Sequence, residues 1–270
     1  MRQLTNNLNK LCINADDFAQ NAAIDAAIID LVECKIINST SALVLSPHWQ
    51  QAAKRLTNLP IQVGLHLDLT SQFTHEFDCH YKLSNLIYLA YTRQLDIQHL
   101  EQVIELQWDR FCDAYGHAPD FIDGHQHVHQ LPQVRDALFS IIIKKSWGLQ
   151  QNQWIRICKA KHWRGLKAMI ISTLGAKHLQ QKAYTMGIAT NSDFAGVYDF
   201  NKNSNLKELW SNWLSQLSDK HSVIMCHVAI GSQYATDEVL HDAIYDARVN
   251  EYKWLKSDGF QLLLQSKGFS

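Results

Sequence analysis

Glycine and proline are scarce, at 11 and 4 of 270 residues, which argues against long flexible linkers. There is no surplus of positive charge. Lys+Arg total 25 against 26 Asp+Glu, a formal net charge of -1. Such a chain has little with which to neutralise phosphates, so neither a nucleic acid nor a membrane surface is expected as its main partner. Long apolar runs are also missing. The longest is Leu86–Tyr91, whereas a membrane-crossing helix needs about 20 residues. The first residues, Met1–Asn7, are polar and hold no apolar signal core, so a cytoplasmic location is expected. Cys12, Cys34, Cys79, Cys112, Cys158 and Cys226 form no C-x-x-C pair and are expected to be free thiols.

What the chain does hold is 46% hydrophobic residues, enough for a substantial core and too many for a disordered chain. It also holds 14 histidines, the commonest metal ligand and an acid/base near neutral pH. Strand and helix patterns alternate. Strands are expected at Lys10–Asn14, Ser39–Leu45, Gln62–Leu69, Asp120–Asp123, Trp154–Cys158, Ser222–Val228 and Phe260–Leu264. Helices are expected at Asn21–Glu33, Pro47–Leu56, Leu100–Tyr115, Pro132–Lys145, from about His162, at Leu206–Leu217 and at Asp237–Lys256. Ser71–Ile97 reads as a polar and aromatic insertion, Met186–Asp199 as irregular. This order implies parallel strands with helical crossovers. Six or more such units favour a (β/α) barrel, incomplete or distorted, with a doubly wound sheet as the alternative. No composition shift marks a boundary, so residues 1–270 read as one domain.

Barrel chemistry gathers where strands end. Four strand ends carry Asp or His: Asn14-Ala15-Asp16-Asp17-Phe18, Gly64-Leu65-His66-Leu67-Asp68, Asp123-Gly124-His125-Gln126-His127-Val128-His129, and Met225-Cys226-His227. Adjacent residues on a strand face opposite ways. If Asp16 and Asp17 serve one site, the chain must therefore turn at Asp17; the competing reading is a helix cap. His125, His127 and His129 would share one face of an extended segment with Asp123, but spread over about 13 Å. Unless that segment bends, they cannot all hold one ion. One ligand is expected here, or two, with the rest positioning substrate or ligands. Imidazole and carboxylate donors suit Zn, Mn, Ni, Fe or Co. Trp108, Trp154, Phe194, Tyr198 and Trp210 are core residues or platforms for sugar rings. Arg248 and Glu251, one helical turn apart, read equally as a surface ion pair or as part of the site. The face carrying Ala243 and Ala247 fits the core or a homodimer seam.

With these pieces in place the sequence resembles the YdjC/ChbG family of carbohydrate deacetylases, which includes chitooligosaccharide and chitin disaccharide deacetylases. The matching stretches are Ile13–Phe18, Ser39–Val44, Val63–Leu67, Phe121–Pro132, Met225–His227, and Arg248 with Glu251 and Leu255. The resemblance implies a distorted TIM-like (β/α) barrel of the glycoside hydrolase/deacetylase type. It implies removal of an N-acetyl group from a small amino sugar and one divalent metal ion, usually described as magnesium. Carried over residue by residue, it implies Asp17, His66 and His125 as metal ligands, Asp16 as general base and His227 as catalytic acid. Asp123, His127, His129 and Arg248 would orient ligands or substrate hydroxyls. Two departures stand out: His227 is followed by Val228 where the family usually has proline, and Ala19 stands where glycine is frequent. The second is a small change provided Ala19 keeps a negative φ. The alternatives are another metal-dependent barrel hydrolase or isomerase, such as a lipid-linked sugar deacetylase, or a non-catalytic sugar-binding relative.

Overall fold

Side-chain alternation along the first strand sets the plan of the molecule. In the computed structural model, which describes residues 11–148, 153–218, 220–231 and 242–269, β1 runs Leu11–Phe18 and is buried throughout. Leu11, Ile13 and Ala15 pack with the large cluster built mostly from helices, whereas Cys12 belongs to a second cluster with Phe121, Trp154, Phe194, Val223 and Met225. That second cluster is the barrel interior. Period-two alternation sends Asn14 and Asp16 the same way as Cys12.

The other strands are β2 (Ser39–Ala42), β3 (Gln62–Leu67), β4 (Phe121–Gly124), β5 (Trp154–Ile155), β6 (Ala189–Thr190), β7 (Asp193–Ala195) and β8 (Ser222–Cys226). All pairings are parallel, in the order β6-β5-β4-β3-β2-β1-β8-β7. The two end strands, β6 and β7, are separated only by residues 191 and 192. The Asn191 amide bridges to β5's continuation, accepting from the Ile157 N–H at 2.6 Å and donating to its carbonyl at 2.9 Å. The Ser192 N–H donates to the His221 carbonyl at 2.7 Å. One chain segment thus carries both ends of the sheet, which wraps into a distorted (β/α) barrel; the doubly wound alternative does not hold.

Ten helices among the described residues follow: α1 (Ala22–Glu33), α2 (Trp49–Leu56), α3 (Leu83–Tyr91), α4 (Ile97–Tyr115), α5 (Val134–Lys144), α6 (Leu166–Thr173), α7 (Ala176–Thr185), α8 (Leu206–Gln216), α9 (Tyr245–Leu255) and α10 (Asp258–Ser266). The expected strand at Phe260–Leu264 is instead part of α10. Ser257 caps it by accepting the Phe260 N–H, and Phe260 packs against Trp210 and Trp254. A short apolar run reads either way by periodicity; here a cap decides. The Ser71–Ile97 insertion holds a 3-10 turn, Gln72–Phe77, and α3. The 186–199 stretch, expected to be irregular, supplies the two closing strands. Lys10, Met1–Asn7 and the expected start of a helix at Asp237–His241 lie outside the described residues.

Candidate active site

Asp17 is brought into line with Asp16 by a break in β1. The pairing register with β2 shifts between Ala15 and Phe18, and Asp17 takes φ 70°. Such a bulge lets two successive carboxylates serve one site. Neither caps α1: Asn21 does, accepting the Ile24 N–H at 3.0 Å. Two residues on, Ala19 has φ 72°, so the position that often carries glycine does need the left-handed region. Alanine tolerates it with its N–H given to Asp25 at 2.7 Å and its carbonyl accepting from Ser46 at 2.5 Å.

The histidine triplet does not extend β4. It forms a 3-10 turn, His125–Gln130, with Gln126 and His127 at φ 50° and 63°. The bend disperses the three rings. His125 Nδ1 lies 3.1 Å from Asp17 Oδ1. His127 Nδ1 lies 3.4 Å from Cys158 Sγ. His129 folds back, its Nε2 donating to the Arg156 carbonyl at 2.9 Å. Gly124 makes room for that return, since a Cβ there would stand 2.9 Å from His129 Nδ1.

His66, on β3, completes the convergence. Its Nε2 is 3.3 Å from Asp17 Oδ1, and its Nδ1 is 2.6 Å from Asp123 Oδ1. Asp123 thereby accepts a hydrogen bond from Nδ1–H and leaves Nε2 toward the cluster, the arrangement in which a carboxylate fixes a metal-binding histidine. Two donors about 2.1 Å from one ion stand about 3.0–3.4 Å apart at octahedral or tetrahedral angles. The spacings around Asp17 match that range. The donor atoms of Asp17, His66 and His125 all lie within 4.8 Å of one another, so these residues fit a divalent metal.

Asp16 lies beside this cluster, held by Arg156, whose Nη1 and Nη2 donate to its two oxygens at 2.9 and 2.8 Å. Arg156 Nη2 is also 2.6 Å from Asp123 Oδ2, and Asn14 donates to Asp16 at 2.6 Å. Burial would raise the Asp16 carboxyl, but the guanidinium outweighs it and holds the group well below the usual carboxylate range. Asp17 is likewise buried and likewise lowered, chiefly by Arg248, which donates from Nη2 to Asp17 Oδ2 at 2.7 Å. Burial alone would lower His66, yet Asp123 and Asp17 raise it to about 10. His227 ends β8 with Nε2 3.9 Å from Asp17 Oδ2, and burial pushes it down to about 4 against the pull of Asp17 and Asp16.

Arg248 and Glu251 are not a surface pair. Both are buried, at 3% and 1% exposure. Arg248 joins Asp17 to Asp242, whose Oδ2 accepts from Nε at 2.6 Å. Glu251 accepts the His227 N–H at 3.2 Å and the Tyr198 hydroxyl at 2.8 Å. α9 thus steadies Asp17 with one residue and the His227 backbone with another. Sequence reasoning missed Arg156. The signal was present: an arginine at the alternate position between Trp154 and Cys158 in an otherwise apolar strand faces the barrel interior. Trp108, Trp154, Phe194, Tyr198 and Trp210 are all core residues and none lines the cavity. That cavity, of about 640 Å³, has Asp16, Asp17, His66, His125, His127, His227 and Arg248 in its wall. Ala247 is buried in the core and Ala243 lines the cavity.

Comparison with known proteins adds family and fold. The family of YdjC-like proteins matches residues 10–266. Chitooligosaccharide deacetylases of Yersinia pestis (strain Pestoides F) and Yersinia pseudotuberculosis serotype O:3 (strain YPIII) are 31% identical over 147 residues, 52% of this chain and 58% of theirs. The match thus spans little more than half the length of those curated relatives. Among solved structures, a proposed cellobiose-phosphate cleavage protein from Enterococcus faecalis V583 has TM-score 0.71 at 20% identity, covering 96% of this chain and 95% of that one. The Bc1960 peptidoglycan N-acetylglucosamine deacetylase has TM-score 0.51 at 15% identity, covering 98% and 85%. At such identities the structural likeness speaks for the fold alone.

Proposed function

The chain belongs to the YdjC-like family, and from that premise we propose that it hydrolyses the N-acetyl group of an amino sugar or short N-acetylglucosamine oligosaccharide, releasing acetate. One observation carries the reading. Asp17, His66 and His125 converge from three separate strand ends, beside a carboxylate clamped by a buried arginine, in the wall of one cavity.

Asp17, His66 and His125 would hold a divalent ion, whose chemistry is to polarise the acetyl carbonyl and acidify water. Two imidazoles and one carboxylate suit a transition ion of the zinc or manganese kind better than magnesium, which prefers oxygen donors. Asp16 is the general base. Arg156 keeps it ionised and fixes the direction of its oxygens, at a cost in basicity, and Asp16 takes a proton from the attacking water. The water oxygen bonds to the acetyl carbon, the C–N bond breaks, and His227 gives the departing nitrogen its proton. Because burial keeps His227 neutral near neutral pH, the proton it gives is the one released by the attacking water and relayed from Asp16. Asp123 orients His66, and Glu251 holds the His227 backbone in place.

Replacing Asp16 by asparagine keeps the shape and one acceptor but removes the base. Acetate release from N,N'-diacetylchitobiose should fall by about 10²–10⁴-fold, while metal binding measured by titration calorimetry stays close to that of the wild type. Full activity in Asp16→Asn would remove the base assignment.

A further inference from the structure

The cavity that reaches the Asp/His cluster has two unlike walls. One is carboxylate, imidazole and guanidinium. The other is aliphatic: Leu83 and Ile87 from α3, Leu131 from the turn before α5, and Ile170, Ile171 and Leu174 from α6 and its end. None of the eight tryptophans lines the cavity; Phe73 and Phe200 do, and Ser71, Gln72, Gln130 and Lys167 add polar groups beside the aliphatic ones. Sugar hydroxyls laid against the aliphatic side chains themselves would lose water without gaining partners, whereas a hydrocarbon would not.

α6 carries this surface outward. Its sequence, Leu166-Lys-Ala-Met-Ile-Ile-Ser-Thr173, buries only Ala168, while Leu166, Met169 and Ile170 are 60%, 44% and 47% exposed. α3, which lines the same cavity, exposes Tyr88 and Tyr91. Apolar side chains scattered singly over a surface are ordinary, whereas a strip continuous with a catalytic cavity marks a binding surface.

We propose that the site takes an N-acetylated sugar bearing an apolar aglycone, a hydrocarbon chain, with the sugar at the Asp/His end and the chain lying along α3 and α6. The sugar end rests on the deacetylase reading; the aliphatic wall carries the rest. The occupant is an extension of the substrate, because the apolar strip begins inside the cavity that holds the reacting groups.

The test compares two soluble probes, methyl and octyl N-acetyl-β-D-glucosaminide, by acetate release from the metal-loaded protein. Burying half of the added methylenes is expected to favour the octyl compound in kcat/KM by about tenfold to a hundredfold. The double substitution Ile87→Ser with Ile170→Ser, at partly exposed positions, should bring the octyl-to-methyl ratio toward one. Equal kcat/KM for the two probes in the wild type overturns the proposal while leaving the deacetylase reading intact. If neither probe releases acetate, N,N'-diacetylchitobiose tests the deacetylase reading by itself, and calorimetry with octyl and methyl β-D-glucopyranoside, which carry no acetyl group, decides the apolar subsite alone. Binding of the octyl compound about tenfold tighter supports it; equal binding overturns it. A dimer in sedimentation velocity that the same double substitution breaks, with no octyl preference, assigns the strip to a second copy and also overturns it.

Discussion

Asp25 shows how much one buried carboxyl can weigh. It sits on α1, 4% exposed, and accepts the Ala19 N–H. Burial pushes it up to about 6, with that hydrogen bond opposing. In the unfolded chain the same group titrates near about 3.9. Between these values the folded protein holds a proton that the unfolded chain has lost. Stability therefore falls as pH rises through this window and levels off above it, by roughly 2–3 kcal/mol in total. Asp25→Asn keeps an oxygen for Ala19 and should flatten that stretch of a urea-midpoint profile recorded from about pH 4 to pH 7. An unaltered slope in the variant would place its source elsewhere. Asp17 and Ala19 belong to the same scale: two non-glycine residues at positive φ mark the break in β1, where the chain turns a capping sequence into a site.

At the scale of the element, the inner barrel is set by large side chains facing small ones. Phe121 on β4 fills the space that Gly64 on β3 leaves; a Cβ at Gly64 would stand 2.4 Å from the Phe121 ring. Gly64→Ala is expected to cost about 1–3 kcal/mol. Adding Phe121→Leu should recover part of that loss, giving a coupling of about 1 kcal/mol or more in a double-mutant cycle from denaturant titrations. Purely additive effects would deny the contact. The ends of apolar runs made Asp16, His66 and Asp123 legible as candidate site residues, each on its own strand end. The turn at 125–130 was not legible, because its two left-handed residues are a glutamine and a histidine rather than glycine. The last helix was misread as a strand for a comparable reason: Phe260–Leu264 carries no periodic signal of its own, and its role is set by Ser257 and by the tryptophans it meets.

Across the whole molecule, charges nearly cancel, at -1, but the cavity does not share that balance. Asp16, Asp17, Asp123 and Asp242 gather around two guanidinium groups, Arg156 and Arg248. His66, raised to about 10, adds a further positive charge, and a divalent cation would take the place of its proton beside the carboxylates. Adding zinc, manganese or magnesium at about 100 times its dissociation constant should stabilise the fold by about 2.7 kcal/mol, raising Tm by roughly 5–10 °C for a chain of this size. Asp17→Ala should abolish the rise. An unchanged Tm with every ion would count against the metal reading. No helix among the described residues is long and apolar enough to cross a membrane.

The sequence by itself determined the alternation of strands and helices and the strand ends that carry Asp and His. Both are local: they follow from side-chain period and from where apolar runs stop. Only the tertiary structure decided which of these groups meet. Closing the sheet through residues 189–195 brings Arg156 onto Asp16 across 140 positions, and α9, following β8 beside β1, brings Arg248 onto Asp17 across 231. Such pairings depend on strand order and on the bend after β4, and no window of sequence spans them.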